Sequence, residues 1–318
     1  MIFFITVMRA LAACFITNAH YTGIYPTDII ANGGLLGDIL FFAVSGYCLY
    51  NIKKPFWKWY GKRIYRVYLP VIIITIFYIL IGAYNLQEHS AIWYLLYPTT
   101  YHFVASIMIL YIPFYFCMKL KILKTHILIV MGIVMVVGGH LYLTIYDRSY
   151  YHIDTVREPM IRFLFMESML LGAWFRQNDK AIRNQFKWKY LIAALGSFLL
   201  YFGSKLLFSH RESLAPFQIL NWSTIFISLV LIFITCAGAD SKLEAMPRGV
   251  KRVIEFISSI TLEIYLVQNV LINAIRPLGH FPINWFLLTA LIIATAFILH
   301  EVCKLIYAVI EQILLRTK

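Results

Sequence analysis

Apolar residues along this chain come in long runs, with the polar positions gathered between them. Ten runs stand out: 1–20, 34–52, 67–85, 92–118, 127–146, 161–175, 188–208, 217–239, 253–275 and 285–314. About 20 mostly apolar residues in a helix cover the roughly 30 Å hydrocarbon core of a bilayer. Backbone groups inside that core must be satisfied within the segment, which favours helices for runs of this length. The pattern therefore predicts an all-α, polytopic protein of ten transmembrane helices. It forms a single integral-membrane domain over residues 1–318, with no appended soluble domain and a multi-pass location in the cell membrane.

Composition agrees with the pattern. Hydrophobic residues make up 61% of the chain and charged residues 14%, against about 45–50% and about 25% in an ordinary soluble domain. A soluble enzyme, a secreted disulfide scaffold and a disordered chain are all excluded. The five cysteines (Cys14, Cys48, Cys117, Cys236 and Cys303) lie in or beside apolar runs without CxxC or Cys/His spacing, so they read as small buried hydrophobes. His102, His140, His300 and Glu301 lack the spacing of a zinc motif, and no metal is expected.

A net charge of +13 would suggest nucleic acid if the basic residues shared one face or tail. Instead they sit in alternate loops. The segments 53–66, 119–126, 176–189, 240–252 and 315–318 hold 20 Lys and Arg residues, and the intervening loops hold four. That asymmetry places the basic loops and both termini in the cytoplasm and removes nucleic acid as a partner. The first run is read as a retained span, because Arg9 follows its apolar start instead of preceding it as in a signal peptide.

Ionisable groups inside spans cost several kcal/mol and mark functional candidates. Arg9 and His20 are eleven residues apart, which returns a helix to the same face about 16 Å along its axis. Read alone, they are either a functional pair or a snorkelling arginine with an interfacial histidine. Arg63 and Arg66, three apart before Val67-Tyr68-Leu69-Pro70, share a helical face. Their guanidiniums can grip phosphate bidentately, or the cluster only holds its loop inside. Asp38 falls near the outer end of the second span. It reads either as a carboxylate that orients His20 and raises its basicity, or as a solvated loop residue. Ser45 and Gly46 suit close helix packing. Glu167, Glu255 and Glu263 are further charges within runs.

Several of these features, taken in order, form a recognisable series. Arg9 and His20 bracket ten residues; then come Phe41-Phe42-Ala43-Val44-Ser45-Gly46-Tyr47 and Arg63-Ile64-Tyr65-Arg66. Ile92-Trp93-Tyr94-Leu95, Tyr111-Ile112-Pro113 and Ser259-Ile260-Thr261-Leu262-Glu263-Ile264-Tyr265-Leu266 come after them. The series resembles acyltransferase family three, the ten-span membrane O-acyltransferases of surface carbohydrates, over nearly the whole chain. Many relatives carry Tyr-Leu-x-His where this chain has Tyr265-Leu266-Val267-Gln268. An amide there can hydrogen-bond a substrate but cannot relay a proton.

The resemblance implies His20 as catalytic base with Arg9 as its partner, and Arg63 and Arg66 at a cytoplasmic donor site. The implied donor is an acyl-CoA, most often acetyl-CoA, used as co-substrate. The implied acceptor is a hydroxyl of a surface glycan or its lipid-linked precursor. Chemistry agrees, since neutral imidazole can take the proton of a sugar hydroxyl near neutral pH. A secondary transporter or a non-catalytic partner of a polysaccharide export machine is the alternative reading.

Overall fold

A computed structural model of the chain describes residues 2–96, 102–155, 157–276 and 279–316. Residues 97–101 of the fourth expected span, Val156, Pro277, Leu278 and Lys318 of the loops and tail, and Met1 and Thr317 lie outside the described residues. Among the described residues every regular element is helical. The order begins α1 (Phe3–His20), α2 (Gly34–Leu49), α3 (Phe56–Leu80), α4 (Ala91–Leu96) and α5 (His102–Lys119). It continues with α6 (Lys121–Thr125), α7 (Ile127–Thr144), α8 (Ile161–Gln177), α9 (Asp179–Ile182) and α10 (Trp188–His210). After a 3-10 turn at Glu212–Phe217 come α11 (Ile219–Gly238), α12 (Asp240–Glu244), α13 (Arg248–Ser259), α14 (Thr261–Ile275) and α15 (Ile283–Arg316).

Each of the ten expected runs carries a helix where it is described, and among the described residues seven helices are by themselves long and apolar enough to cross a membrane. These are α1, α3, α5, α7, α10, α11 and α15. α13 and α14 qualify only as a pair bent by 70°, which would make eight. α2 has 16 residues and α8 has 17, and α8 carries Arg162, Glu167 and Arg176. Rows of exposed Leu, Ile and Val run along α7 (Ile129, Ile133 and Val136) and α10 (Ile192, Leu195 and Leu199). Apolar surface of this extent is rare on a soluble monomer and is what lipid covers.

α3 starts eleven residues before its expected boundary. Pro55 sits at the N-cap, where its missing N–H costs nothing, and the Trp59 N–H reaches back to the Pro55 carbonyl at 3.0 Å. The basic stretch after it contains no further proline until Pro70 and tolerates the single Gly61, so the charges ride on the helix and not on a loop. The helix stops at Gly82, whose φ of +71° suits a residue without Cβ. The Gly82 N–H donates to the Ile79 carbonyl and the Ala83 N–H to that of Tyr78, the paired bonds that close a helix C-terminus.

The chain divides into two compact units. One comprises Met1–Ala12, Leu35–Lys54 and Ser106–Glu255. Within it α10 packs on α11, and α8 packs on α7 and α11. α2 and α8 meet backbone to backbone: a Cβ at Gly46 would lie 1.9 Å from the Met169 carbonyl oxygen, and one at Gly172 would lie 1.8 Å from that of Ala43. The expected packing role of Gly46 is therefore met. Around this contact Phe42 stacks on Phe165 (4.3 Å between ring centroids), and Phe175 stacks on Phe233 (4.1 Å).

The other unit comprises Ala13–Gly34, Pro55–Ala105 and Phe256–Lys318. Here α3, α14 and α15 pack against one another. The Tyr78 hydroxyl donates to the Val267 carbonyl at 3.3 Å, and the Tyr307 hydroxyl to the Arg66 carbonyl at 3.0 Å. The cysteine expectation needs correction: Cys14 and Cys48 are exposed, and only Cys117 and Cys303 are buried. Their two helices present those faces outward, which a run that is apolar on several sides leaves undetermined.

Candidate active site

α1 is helical without a break from Phe3 to His20, so the whole Arg9-to-His20 interval keeps helical spacing. Both side chains are half-buried. His20 is the last helical residue, and Asn18 fixes the path of the chain beyond it. The Asn18 amide donates to the carbonyls of Ile30 (2.8 Å) and Asn32 (2.9 Å) and accepts from the Tyr25 hydroxyl (2.7 Å). Trp285 Nε1 in turn donates to Tyr25 Oη at 3.0 Å, and Tyr21 meets the Thr289 hydroxyl at 2.8 Å. Among the described residues the His20 imidazole has no hydrogen-bond partner, although its neighbour Asn18 is saturated. Three residues past His20, Gly23 (φ +76°) lies under the Arg276 side chain, with a hypothetical Cβ 3.1 Å from Arg276 Nε.

Arg63 and Arg66 lie in the first half of α3, half-buried and exposed respectively, in the same unit as His20. Tyr307 joins α15 to this turn through the Arg66 carbonyl, and its ring meets Tyr65 edge-on at 5.1 Å. Further along the same helices, His300 Nδ1 and Glu263 Oε1 are 2.8 Å apart, linking α15 to α14. Thr75 and Gln268 are fully buried, and their side-chain polar atoms have no hydrogen-bond partner.

Of the two readings of Asp38, the solvated loop residue is excluded. Asp38 is 4% exposed and lies within α2, not in a solvated loop. It belongs to the unit that holds the N-terminal part of α1, along with the buried Glu167, whose two carboxylate oxygens have no hydrogen-bond partner among the described residues. Asp38 lies close enough to Tyr201 to interact with it electrostatically.

Sequence reasoning passed over two constellations. The Glu263–His300 pair bridges residues 37 apart, and its one signal was that both are ionisable within apolar runs. The second is the Gln218–Asn221 network. Gln218 Oε1 accepts the N–H groups of His152 (2.9 Å) and Ile153 (3.0 Å), and its amide nitrogen donates to the Tyr150 carbonyl. Burial pushes the Tyr151 phenol well above its ordinary pKa range, so it stays protonated and donates to Asn221 Oδ1 at 2.9 Å. Lys205 pairs with Asp154 at 2.6 Å beside it. These contacts hold residues 150–154, which follow α7, to α10 and the start of α11.

A cavity of about 220 Å³ is lined by Ile2, Ile5, Tyr47, Cys48, Asn51 and Arg176, none of them a sequence candidate. Its polar wall is tightly committed: the Tyr47 hydroxyl donates to Asp179 at 2.6 Å and accepts from Arg176 at 3.1 Å. Among the described residues no group of three or more His, Cys, Asp or Glu side chains is placed to hold a metal ion.

No curated protein and no solved structure matches the chain in comparison. The model of one family, an acyltransferase domain, matches residues 2–301 of the 318. That match runs through both units and all five candidate residues, and with the membrane-spanning helices it settles the class: the chain belongs to acyltransferase family 3 and is a multi-pass membrane acyltransferase.

Proposed function

We propose that this protein transfers an acyl group, most often acetyl, from cytoplasmic acyl-CoA to a hydroxyl of a surface glycan or its lipid-linked precursor. The observation that carries this reading is His20: a half-buried imidazole, free of hydrogen bonds to the described residues, at the end of a helix whose exit is pinned by Asn18. A general base needs that combination of fixed position and open ring nitrogen.

The neutral imidazole takes the proton of the acceptor hydroxyl as its oxygen attacks the thioester carbonyl carbon. The tetrahedral intermediate collapses, the C–S bond breaks, and the departing thiolate recovers the proton from the imidazolium. His20 returns neutral, and no net charge or proton remains on the protein. Arg63 and Arg66 hold the donor's phosphates at the cytoplasmic face, where forked guanidiniums suit them. Arg9, about 16 Å from His20 along α1, is the partner the resemblance implies, a guanidinium that offsets negative charge in a poorly solvated interior.

In this reading all ten apolar runs cross or enter the bilayer, and both termini face the cytoplasm. The support is the distribution of basic residues, 20 against four between the two sets of loops. Purified protein is incubated with radiolabelled acetyl-CoA and a glycan extract, and label in the carbohydrate fraction is followed by mass spectrometry. Label on the glycan is the expected result. Intact acetyl-CoA and unmodified glycan, with well-folded protein, would overturn the proposal.

A further inference from the structure

Thr75 and Gln268 belong to a set of buried side chains whose polar atoms have no hydrogen-bond partner among the described residues; Ser106 and Glu167, in the other unit, are further members. Helical hydroxyls here regularly donate to a carbonyl one turn back: Ser168 to Leu164 (2.8 Å), Ser228 to Thr224 (3.0 Å) and Thr289 to Trp285 (2.7 Å). Thr75, 0% exposed on α3, makes no such bond. The buried amides of Gln218 and Asn221 are bonded at both ends, and Asn284 is bonded through its nitrogen. Gln268, 0% exposed on α14, leaves both Nε2 and Oε1 idle. A buried amide without partners is costly, by about 1–3 kcal/mol per group, and the cost is greater where water is scarce.

The two orphans flank one helix contact. Tyr78, one turn beyond Thr75 on the same face of α3, donates to the carbonyl of Val267, the residue before Gln268. Thr75 also lies nine residues, about 14 Å, along α3 from Arg66. Nine helical steps also turn Thr75 about 180° around α3 from Arg66, so an arm that extends from phosphates at Arg63 and Arg66 reaches this contact by passing around the helix. The three idle groups offer donors and acceptors together, which is what a secondary amide requires.

We propose that Gln268 and Thr75 form a binding subsite for the secondary amides in the pantetheine arm of the acyl donor. Gln268 Oε1 accepts from an amide N–H, while Gln268 Nε2 and the Thr75 hydroxyl donate to amide carbonyls. They are specificity-determining residues that hold the arm in register between the phosphates and the reacting thioester. The subsite rests on the acyl-CoA reading above, and it adds a demand that reading does not make: recognition of the donor must depend on the arm as well as on the phosphates.

The test separates the two parts of the donor. Binding of CoA, and of adenosine 3′,5′-bisphosphate as a probe without the arm, is measured by calorimetry on full-length protein in detergent. Gln268→Met and Thr75→Val keep volume and remove the polar atoms. Each is expected to weaken CoA binding about 3- to 10-fold, the range for one or two neutral hydrogen bonds, and to leave the bisphosphate unchanged. Thermal unfolding should hold or rise, because an unsatisfied buried group is removed. Thr75→Ser, which restores the hydroxyl, should bind CoA as the parent does. Equal weakening of both probes, or unchanged CoA binding in both variants, overturns the subsite and leaves the acyl-CoA reading standing. Failure of the parent protein to bind CoA overturns both.

Discussion

The Phe4 backbone N–H donates to Asp240 Oδ1 at 2.8 Å, so the first turn of the helix that carries Arg9 is capped by a carboxylate 236 residues later in the chain. Arg183 stands 3.9 Å from the other oxygen of the same carboxylate. Replacing a capping side chain by alanine costs about 0.5–2 kcal/mol. Asp240→Ala should therefore lower the unfolding temperature in detergent, whereas Asp240→Asn, which keeps the acceptor oxygen, should recover most of the loss. Identical melting of the alanine variant and the parent would show that the cap carries no stability.

His20→Ala should reduce acyl transfer by about 10²–10⁴-fold, the contribution of one general base, with CoA affinity retained. Inserting one alanine between Ala10 and Asn18 turns His20 by about 100° relative to Arg9 and moves it about 1.5 Å. That variant should also lose transfer, since misplacement of about 1 Å can cost about 10²-fold. Near-parental turnover by a folded His20→Ala protein would remove the residue from the mechanism.

Arg63 and Arg66 should respond to geometry as well as charge. Lysine at either position keeps the charge but loses the planar fork. CoA affinity measured by calorimetry should fall in the order parent, lysine variant, alanine variant. A flat series would reduce the pair to a determinant of topology.

Gly46 and Gly172 should be intolerant of any side chain. A methyl group at either would sit within 2 Å of a carbonyl oxygen on the facing helix, at 1.9 Å and 1.8 Å. Gly46→Ala and Gly172→Ala should each force α2 and α8 apart, at the cost of about 1–3 kcal/mol usual for overpacking. Yield of monodisperse protein after size-exclusion chromatography is the readout. Gly61→Ala, where a Cβ meets nothing within 4 Å, is the control and should behave as the parent.

Helix locations were legible in the sequence because apolarity over about 20 residues is a direct statement about solvent. Breaks were not. The 70° bend between α13 and α14 falls at Ile260, in a stretch from Val250 to Ile275 with neither Gly nor Pro. The early start of α3 was hidden because basic residues read as loop when charge is used to find topology, although Lys and Arg are good helix formers. Single ionisable candidates were visible, since Arg9, His20, Asp38, Arg63 and Arg66 all drew attention as charges beside or within apolar runs, but the pairing of Glu263 with His300 across 37 residues was not. Asn18 drew no attention, since two of its partners are the backbone carbonyls of Ile30 and Asn32 and carry no side-chain signature. The state of Thr75 and Gln268 was equally invisible, because a missing partner exists only in three dimensions.

The Asn18 hub also bears on temperature. Helix ends are ordinarily the first places where a protein opens, by local fluctuations far cheaper than global unfolding. Here the last turn of α1 is laced to residues 25, 30 and 32, and through Tyr25 to Trp285 on α15. Fraying at His20 would have to break the lacing with it, so the terminal turn shares the protection of the helices it is tied to. Amide exchange at residues 17–20 should therefore be slow, more like a helix centre than a helix end. Heating should leave this turn ordered until the surrounding helices melt.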